Sequence, residues 1–244
     1  MKKMFWVVAG FIVLYSLFVF KVNVVVPEYS DIVVATTFFF TIFSGFFITR
    51  QNDRYSTIEE EVSTSDGLFS FLYRISGLLP RIQKEVREII REHYTKILKT
   101  GNWAYHVLNP STTITKLTNT FASVSAEEIE KPGTEPAYEG IWGAISELQM
   151  VRKKIIALYN TRLLFSQWLL VSILGGLVVV SFDFIPSSSL LIDALKIMFG
   201  TSVFIVLVLL KQLDSLTMFG SDFGKKSAQD IFRIIDEKDI QETN

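Results

Sequence analysis

The sequence predicts an all-α membrane protein, with four transmembrane helices in two hairpins and a cytoplasmic helical bundle inserted between them. Three observations lead there. Four apolar segments, Met4–Val26, Asp31–Thr49, Leu163–Phe182 and Leu190–Leu210, each come within a residue or two of the length that crosses a bilayer core. They fall in two close pairs, separated by about 110 residues rich in charge. That intervening stretch carries helical periodicity throughout and no alternation long enough for a strand. The chain divides accordingly into a first hairpin (1–50), a central domain (51–162), a second hairpin (163–211) and a C-terminal amphipathic helix (212–244).

The first span follows Lys2-Lys3, as a signal peptide would. Its far end reads differently. Lys21 interrupts the apolar run, Val22–Val26 resumes it, no small-x-small cleavage site follows, and a second span begins almost at once. An uncleaved anchor is expected. Of the 24 basic residues, only Lys21 and Lys196 lie toward the short connections Pro27–Ser30 and Asp183–Ser189. The positive-inside rule then places both termini and the central domain in the cytoplasm.

In the central domain, Ile58, Val62, Phe69, Leu72, Ile75 and Leu79 form a stripe that continues the second span. Ile82, Val86, Ile89, Ile90, Tyr94, Ile97 and Leu98 mark the next helix, with Pro80 suited to its first turn and Gly101 to its end. Asn109-Pro110 suits a helix start before Ile114, Leu117, Phe121 and Val124. Glu127–Pro136, with two prolines and a glycine, reads as the clearest loop. The stripe from Tyr138 and Ile141 to Ile156 and Tyr159 is expected to run straight into the third span, so that unbroken helices leave the membrane on both sides of the domain. The last helix carries Ala228, Ile231, Phe232 and Ile235 on one face. Docking on the bundle is expected, because its acidic C-terminal flank disfavours a membrane surface.

Composition narrows the function. Mean hydropathy is +0.35, hydrophobic residues make up 49 % of the chain, and many of its 21 Phe sit in the spans. A net charge of −1 gives no electrostatic reason to expect nucleic acid. With no cysteine there is no disulfide, thiol nucleophile or thiolate metal site. No His-Glu-x-x-His pattern, nucleophile elbow or Gly-rich phosphate loop occurs. His93 borders an apolar helical face and His106 sits near Trp103, so structural roles are expected for both. No enzymatic activity, cofactor or metal is expected. Glu59-Glu60-Glu61 reads as a solvated helix face, and Arg152-Lys153-Lys154 as lipid-headgroup contact or a topology signal.

Several segments resemble the bestrophin-like family of bacterial membrane proteins: Leu72–Pro80 (LYRISGLLP), Tyr94–Trp103 (YTKILKTGNW), Arg152–Leu164 before Trp168, Gly175-Gly176 and Leu213–Gly220 (LDSLTMFG). After Leu213-Asp214 the family pattern would carry Pro-Phe, where Ser215-Leu216 stands. The resemblance implies a multi-pass protein of the bacterial inner membrane. It further implies a homo-oligomer, a pentamer in true bestrophins, that conducts small inorganic ions, anions among them. In true bestrophins the second span lines the pore through a narrow hydrophobic neck, which the resemblance suggests here.

The second span supplies candidates for such a path. Phe39, Phe43 and Phe47 stand at i, i+4 and i+8, where one helix face could stack aromatic rings and gate by dewetting. Packing on neighbours or lipid is the alternative. Thr37, Thr41, Ser44 and Gly45 form a small polar stripe, fitted for close helix contact or for wetting a pore. Gly175-Gly176 and Gly200-Thr201-Ser202 read as close-contact sites. Among ionisable groups, Lys21, Asp193 and Lys196 lie near outer ends, where snorkelling or an Asp193–Lys196 pair explains them. Glu28, Asp31 and Asp183 at the outer mouth oppose Arg50 and Arg54 at the inner one, leaving the sign of a permeant ion open. The competing reading is a non-conducting membrane scaffold or sensor whose cytoplasmic helices bind a partner.

Overall fold

The computed structural model describes residues 10, 13–16, 29–109, 112–130, 134–186 and 189–241. Its helices are α1 (Tyr29–Ser76), α2 (Pro80–Thr100), α3 (Tyr105–Leu108), α4 (Thr113–Ala122), α5 (Ala126–Ile129), α6 (Thr134–Asn160), α7 (Phe165–Asp183), α8 (Leu190–Asp214) and α9 (Ser221–Gln241). No strand occurs among the described residues. Helices α1, α7 and α8 are long and apolar enough to cross a membrane. The first expected span, Met4–Val26, lies outside the described residues except for Gly10 and Val13–Ser16, which are helical. The chain forms two compact units, one of Met1–Arg54 with Arg162–Thr217, the other of Tyr55–Thr161 with Met218–Asn244.

In the first unit α7 and α8 pair, and their core is apolar: Phe40, Phe47, Leu163, Val171, Val178, Val203 and Leu210. Close approach depends on Gly175, whose missing Cβ would meet Val203 at 3.1 Å and Phe40 at 3.2 Å. Its neighbour Gly176 faces open space, so the pair splits into one packing position and one free one. Gly200 leaves room for the ring of Tyr15, which a Cβ there would overlap. Most other apolar side chains of the unit point outward, among them Leu169, Ile173, Leu177 and Val180. Outward apolar side chains suit hydrocarbon rather than water as the surrounding solvent.

The second unit inverts that pattern, with an apolar interior and charged exterior. The six buried residues of α2 are Ile82, Val86, Ile89, Ile90, Tyr94 and Ile97, the stripe the periodicity selects. Pro80 sits in the first turn, and Gly101 closes the helix at φ 61°, a left-handed conformation that favours glycine. Helix α9 packs on α2 through buried Ala228, Ile231 and Ile235, and Tyr73 Oη donates to the Ile235 carbonyl at 3.1 Å. The C-terminal helix therefore docks on the bundle, as expected.

Two expectations need correction. The stretch Glu127–Pro136 is not simply a loop. One turn of helix, α5, is nucleated there by a capping box, in which the Glu128 carboxylate accepts the Ser125 N–H at 3.3 Å, and α6 already begins at Thr134. Pro136 lies in the first turn of α6, where no intrahelical N–H is required. Nor does the stripe ending at Tyr159 run straight into the third span. The chain leaves helix after Asn160 and re-enters it at Phe165. Leu164 takes an extended conformation (ψ 152°), and its N–H goes to the Gln167 side chain at 3.0 Å. Only α1, 48 residues and about 70 Å long, continues unbroken from its apolar half into its charged half.

Candidate functional site

Helix α1 is apolar on every side between Ser30 and Thr49, so hydropathy does not show which face packs. Burial does. Phe40, Ser44, Phe47, Gln51 and Arg54 recur at helical spacing and are all buried, Phe40 and Phe47 in one core with residues of α7 and α8. The opposite arc carries Val34, Phe38, Ile42 and Phe46 at i, i+4, i+8 and i+12, all exposed in the protomer. Phe39 lies beside Phe38, their rings edge to face at 5.8 Å.

The candidate row Phe39–Phe43–Phe47 crosses between these faces. Phe39 is 50 % exposed, Phe43 is half-buried and Phe47 is 4 % exposed, its ring 6.5 Å from that of Phe43. Eight residues of α-helix overshoot two turns by about 80°, which carries the row off the free face. The polar stripe behaves similarly. Thr37 is half-buried with its hydroxyl unpartnered, exposed Thr41 donates to the Thr37 carbonyl at 2.8 Å, and buried Ser44 donates to the Thr41 carbonyl at 3.3 Å. Two of these hydroxyls are thus satisfied by their own helix. A hydroxyl of α1 that does cross to another span belongs to Thr36, 3.2 Å from Ser181 Oγ. It lies next to the predicted stripe but was not singled out by it.

At the Arg54 end of this unit a buried polar cluster closes the packed face. Arg54 Nη1 donates to Gln51 Oε1 at 2.8 Å and to the Asp214 carbonyl at 3.1 Å. The Asp214 carboxylate accepts the Leu163 N–H at 2.7 Å with one oxygen and Trp168 Nε1–H at 3.2 Å with the other. Lys211 Nζ stands 5.3 Å from the Trp168 ring centroid, within cation–π range. The helix carrying Asp214 ends in a Schellman turn, with Thr217 N–H on the Gln212 carbonyl and Leu216 N–H on that of Leu213. Leu216 adopts φ 56° there, strained for a leucine, and is held by burial at 5 % exposure. This is where Ser215-Leu216 replaces the expected Pro-Phe.

At the opposite end, Asp183 is buried and accepts the Tyr15 hydroxyl at 3.3 Å. Lys196, expected to snorkel, is instead 2 % exposed within the bundle. Two of the charges weighed for ion selectivity, Asp183 and Arg54, therefore face the protein interior, while Asp31 and Arg50 stay on the surface.

In the second unit the imidazoles of His93 and His106 stack at 3.7 Å and 9°. His93 Nδ1 lies 3.0 Å from Thr113 Oγ1, and His106 Nε2–H donates to the His93 carbonyl at 2.9 Å. Burial pulls both imidazoles below the ordinary histidine range. Of the acidic run, Glu61 is buried and paired with Lys154, while Glu59 and Glu60 are solvated. No group of three or more metal-ligating side chains occurs among the described residues.

Comparison with solved structures gives the same fold. A crystal structure of a bacterial bestrophin homologue from Klebsiella pneumoniae, phased on zinc, superposes with a TM-score of 0.66 at 14 % identity, covering 96 % of this chain and 97 % of that one. Two point variants of the Klebsiella homologue match at TM-scores of 0.64 and 0.65, with 15 % and 14 % identity and coverage of 96 % and 97 % of this chain, 99 % and 98 % of theirs. No curated protein sequence matches. The family model described as the bestrophin-like domain matches residues 5–215, most of the chain, and the protein belongs to the bestrophin-like family.

Proposed function

We propose that several copies of this chain assemble around an axis lined by α1 and conduct small inorganic ions across the inner membrane of a bacterium. The observation that carries the reading is the free arc Val34–Phe38–Ile42–Phe46, a continuous apolar row on a helix whose opposite face is already packed. Phe39 and Thr41 flank that row on the exposed surface, and Phe43 borders it. A ring of such side chains about a symmetry axis makes a hydrophobic constriction that opens by wetting. Fold and family support the same reading. The polar cluster of Arg54 and Asp214 anchors the packed face and so holds the free arc in register. Exposed Asp31 weighs toward cations at the outer mouth, and the likeness to anion channels weighs toward anions.

Flux through liposomes containing the purified protein tests this, with chloride, nitrate, potassium and sodium each measured across a range of pH and calcium. Conduction of at least one is expected, and no flux of any removes the reading. Phe38→Ala or Phe46→Ala should raise flux several-fold by widening the constriction. Phe47→Ala should lower stability by about 3–5 kcal/mol and leave single-channel conductance unchanged.

A second reading, a membrane-anchored sensor that does not conduct, is favoured by the cavity in the cytoplasmic unit described next. A reporter fused after Asn244 that is active only in the cytoplasm is expected under both.

A further inference from the structure

Helices α2, α3, α4 and α6, with the cytoplasmic part of α1, enclose a cavity of about 80 Å³. Its polar walls include Asp66, His93, His106, Thr113 and Arg152. Among these, Arg152 stands apart. Its Nε is buried without a hydrogen-bond partner, and the residue makes no ion pair or hydrogen bond among the described residues. A buried, charged N–H left unpaired is costly, and a planar oxyanion satisfies it best, through two parallel bonds from Nε and one terminal nitrogen.

Most of the other polar walls are already engaged. Both Asp66 oxygens are occupied, one by the Tyr94 hydroxyl and the other by Ser227 Oγ at 2.6 Å. His106 donates its Nε2 proton to the His93 carbonyl, and His93 Nδ1 is engaged by Thr113. Phe69, Trp103 and Leu148 close the remaining sides with apolar surface, unsuited to a hydrated divalent ion. Trp103, His106, Val107 and Arg152 are each partly exposed, so an ion can enter from water. Size sets the upper limit. A cavity of about 150 Å³ takes benzene, so this one has room for about three to four heavy atoms.

We propose that this cavity binds one small planar monovalent oxyanion, of the nitrate, formate or acetate kind, held side-on by the Arg152 guanidinium. The site is independent of whether the protein conducts, and its test does not use flux. Full-length protein in detergent is titrated with sodium nitrate, formate or acetate at constant ionic strength, following the thermal unfolding midpoint and the heat of binding, with benzoate and sulfate as comparisons. A saturable rise with at least one of the small anions and none with benzoate or sulfate is expected. Arg152→Gln should weaken binding at least tenfold. Ile114→Phe, which fills the space from a partly exposed wall and keeps the guanidinium, should abolish it. Absence of saturable binding in the wild type, an equal response to benzoate or sulfate, or wild-type affinity in both variants overturns the assignment.

Discussion

At Asp214 one carboxylate answers two donors, the Leu163 N–H and the Trp168 indole, and its own carbonyl answers a third, Arg54. Asparagine offers one oxygen in place of two and turns an N–H₂ toward a donor. Asp214→Asn should therefore cost about 1–3 kcal/mol, while Trp168→Phe, which removes one donor and leaves the other, should cost about 1 kcal/mol. Unfolding midpoints in one detergent rank the two variants, and a larger loss for Trp168→Phe would show that the carboxylate is not the centre of the cluster. The stacked imidazoles give a second prediction. Burial holds His93 and His106 below the ordinary range, so the unfolded chain takes up protons near pH 6.5 that the folded one refuses. More protons bound when unfolded means stability rising with pH, so stability should fall as pH drops through about 6.5. Charged and titratable groups around the pair are Lys96, Arg152, Glu92, Asp66, Tyr94 and Tyr105. Asp66 is raised by burial, so its contribution is lost as pH rises above the ordinary aspartate range, a slope opposite to that of the imidazoles. Glu92, held at about 2 by Lys116 and Lys96, loses its contribution only as pH falls below the ordinary glutamate range, and its exposure keeps that small. The midpoint should drop between about pH 7.5 and about pH 5.5, and His93→Asn should flatten the drop. A wild-type midpoint constant across that interval would contradict the buried-imidazole explanation.

Among the elements, what the sequence made legible depends on the solvent each helix meets. In α2 water makes hydrophobicity directional, and the stripe Ile82 to Ile97 is the buried face. In α1, α7 and α8 both lipid and packed surfaces are apolar, so the spans could be read but not their packed sides. Hence the Phe39–Phe43–Phe47 row was plausible by spacing, and only burial divides it between a free and a packed face. The break after Asn160 was hidden for another reason. The group that captures Leu163 N–H lies 51 residues further along, and no local signal carries that. The paired glycines of α7 show the same limit, and they test it. Gly175→Val should destabilise by about 1–3 kcal/mol through overpacking on Val203 and Phe40. Gly176→Val, facing open space in the protomer, should leave the protomer's packing intact. Equal losses in monomer stability would mean that α7 is rotated from the orientation described.

For the whole molecule, three apolar spans and the family were legible, because a bilayer imposes length and apolarity on any chain that crosses it. What was not legible is which surface meets another copy, since a lipid-facing side chain and an axis-facing one obey the same rule inside a single protomer. A chain without cysteine separates them. Single cysteines at Ile42 and Phe46 on the free arc of α1, and at Leu177 on the exposed face of α7, can each be challenged with a charged thiol reagent supplied in water. Ionic reagents reach thiols along a wetted path and react poorly in hydrocarbon, where the reactive thiolate hardly forms. If α1 lines the axis, Ile42→Cys and Phe46→Cys should lose most of their ion flux on treatment, and a permeant ion in excess should slow that loss. Leu177→Cys should keep its flux. Rapid block at Leu177 with none at Ile42 and Phe46 would move the conduction path from α1 to α7, and would do so without disturbing the fold or the family.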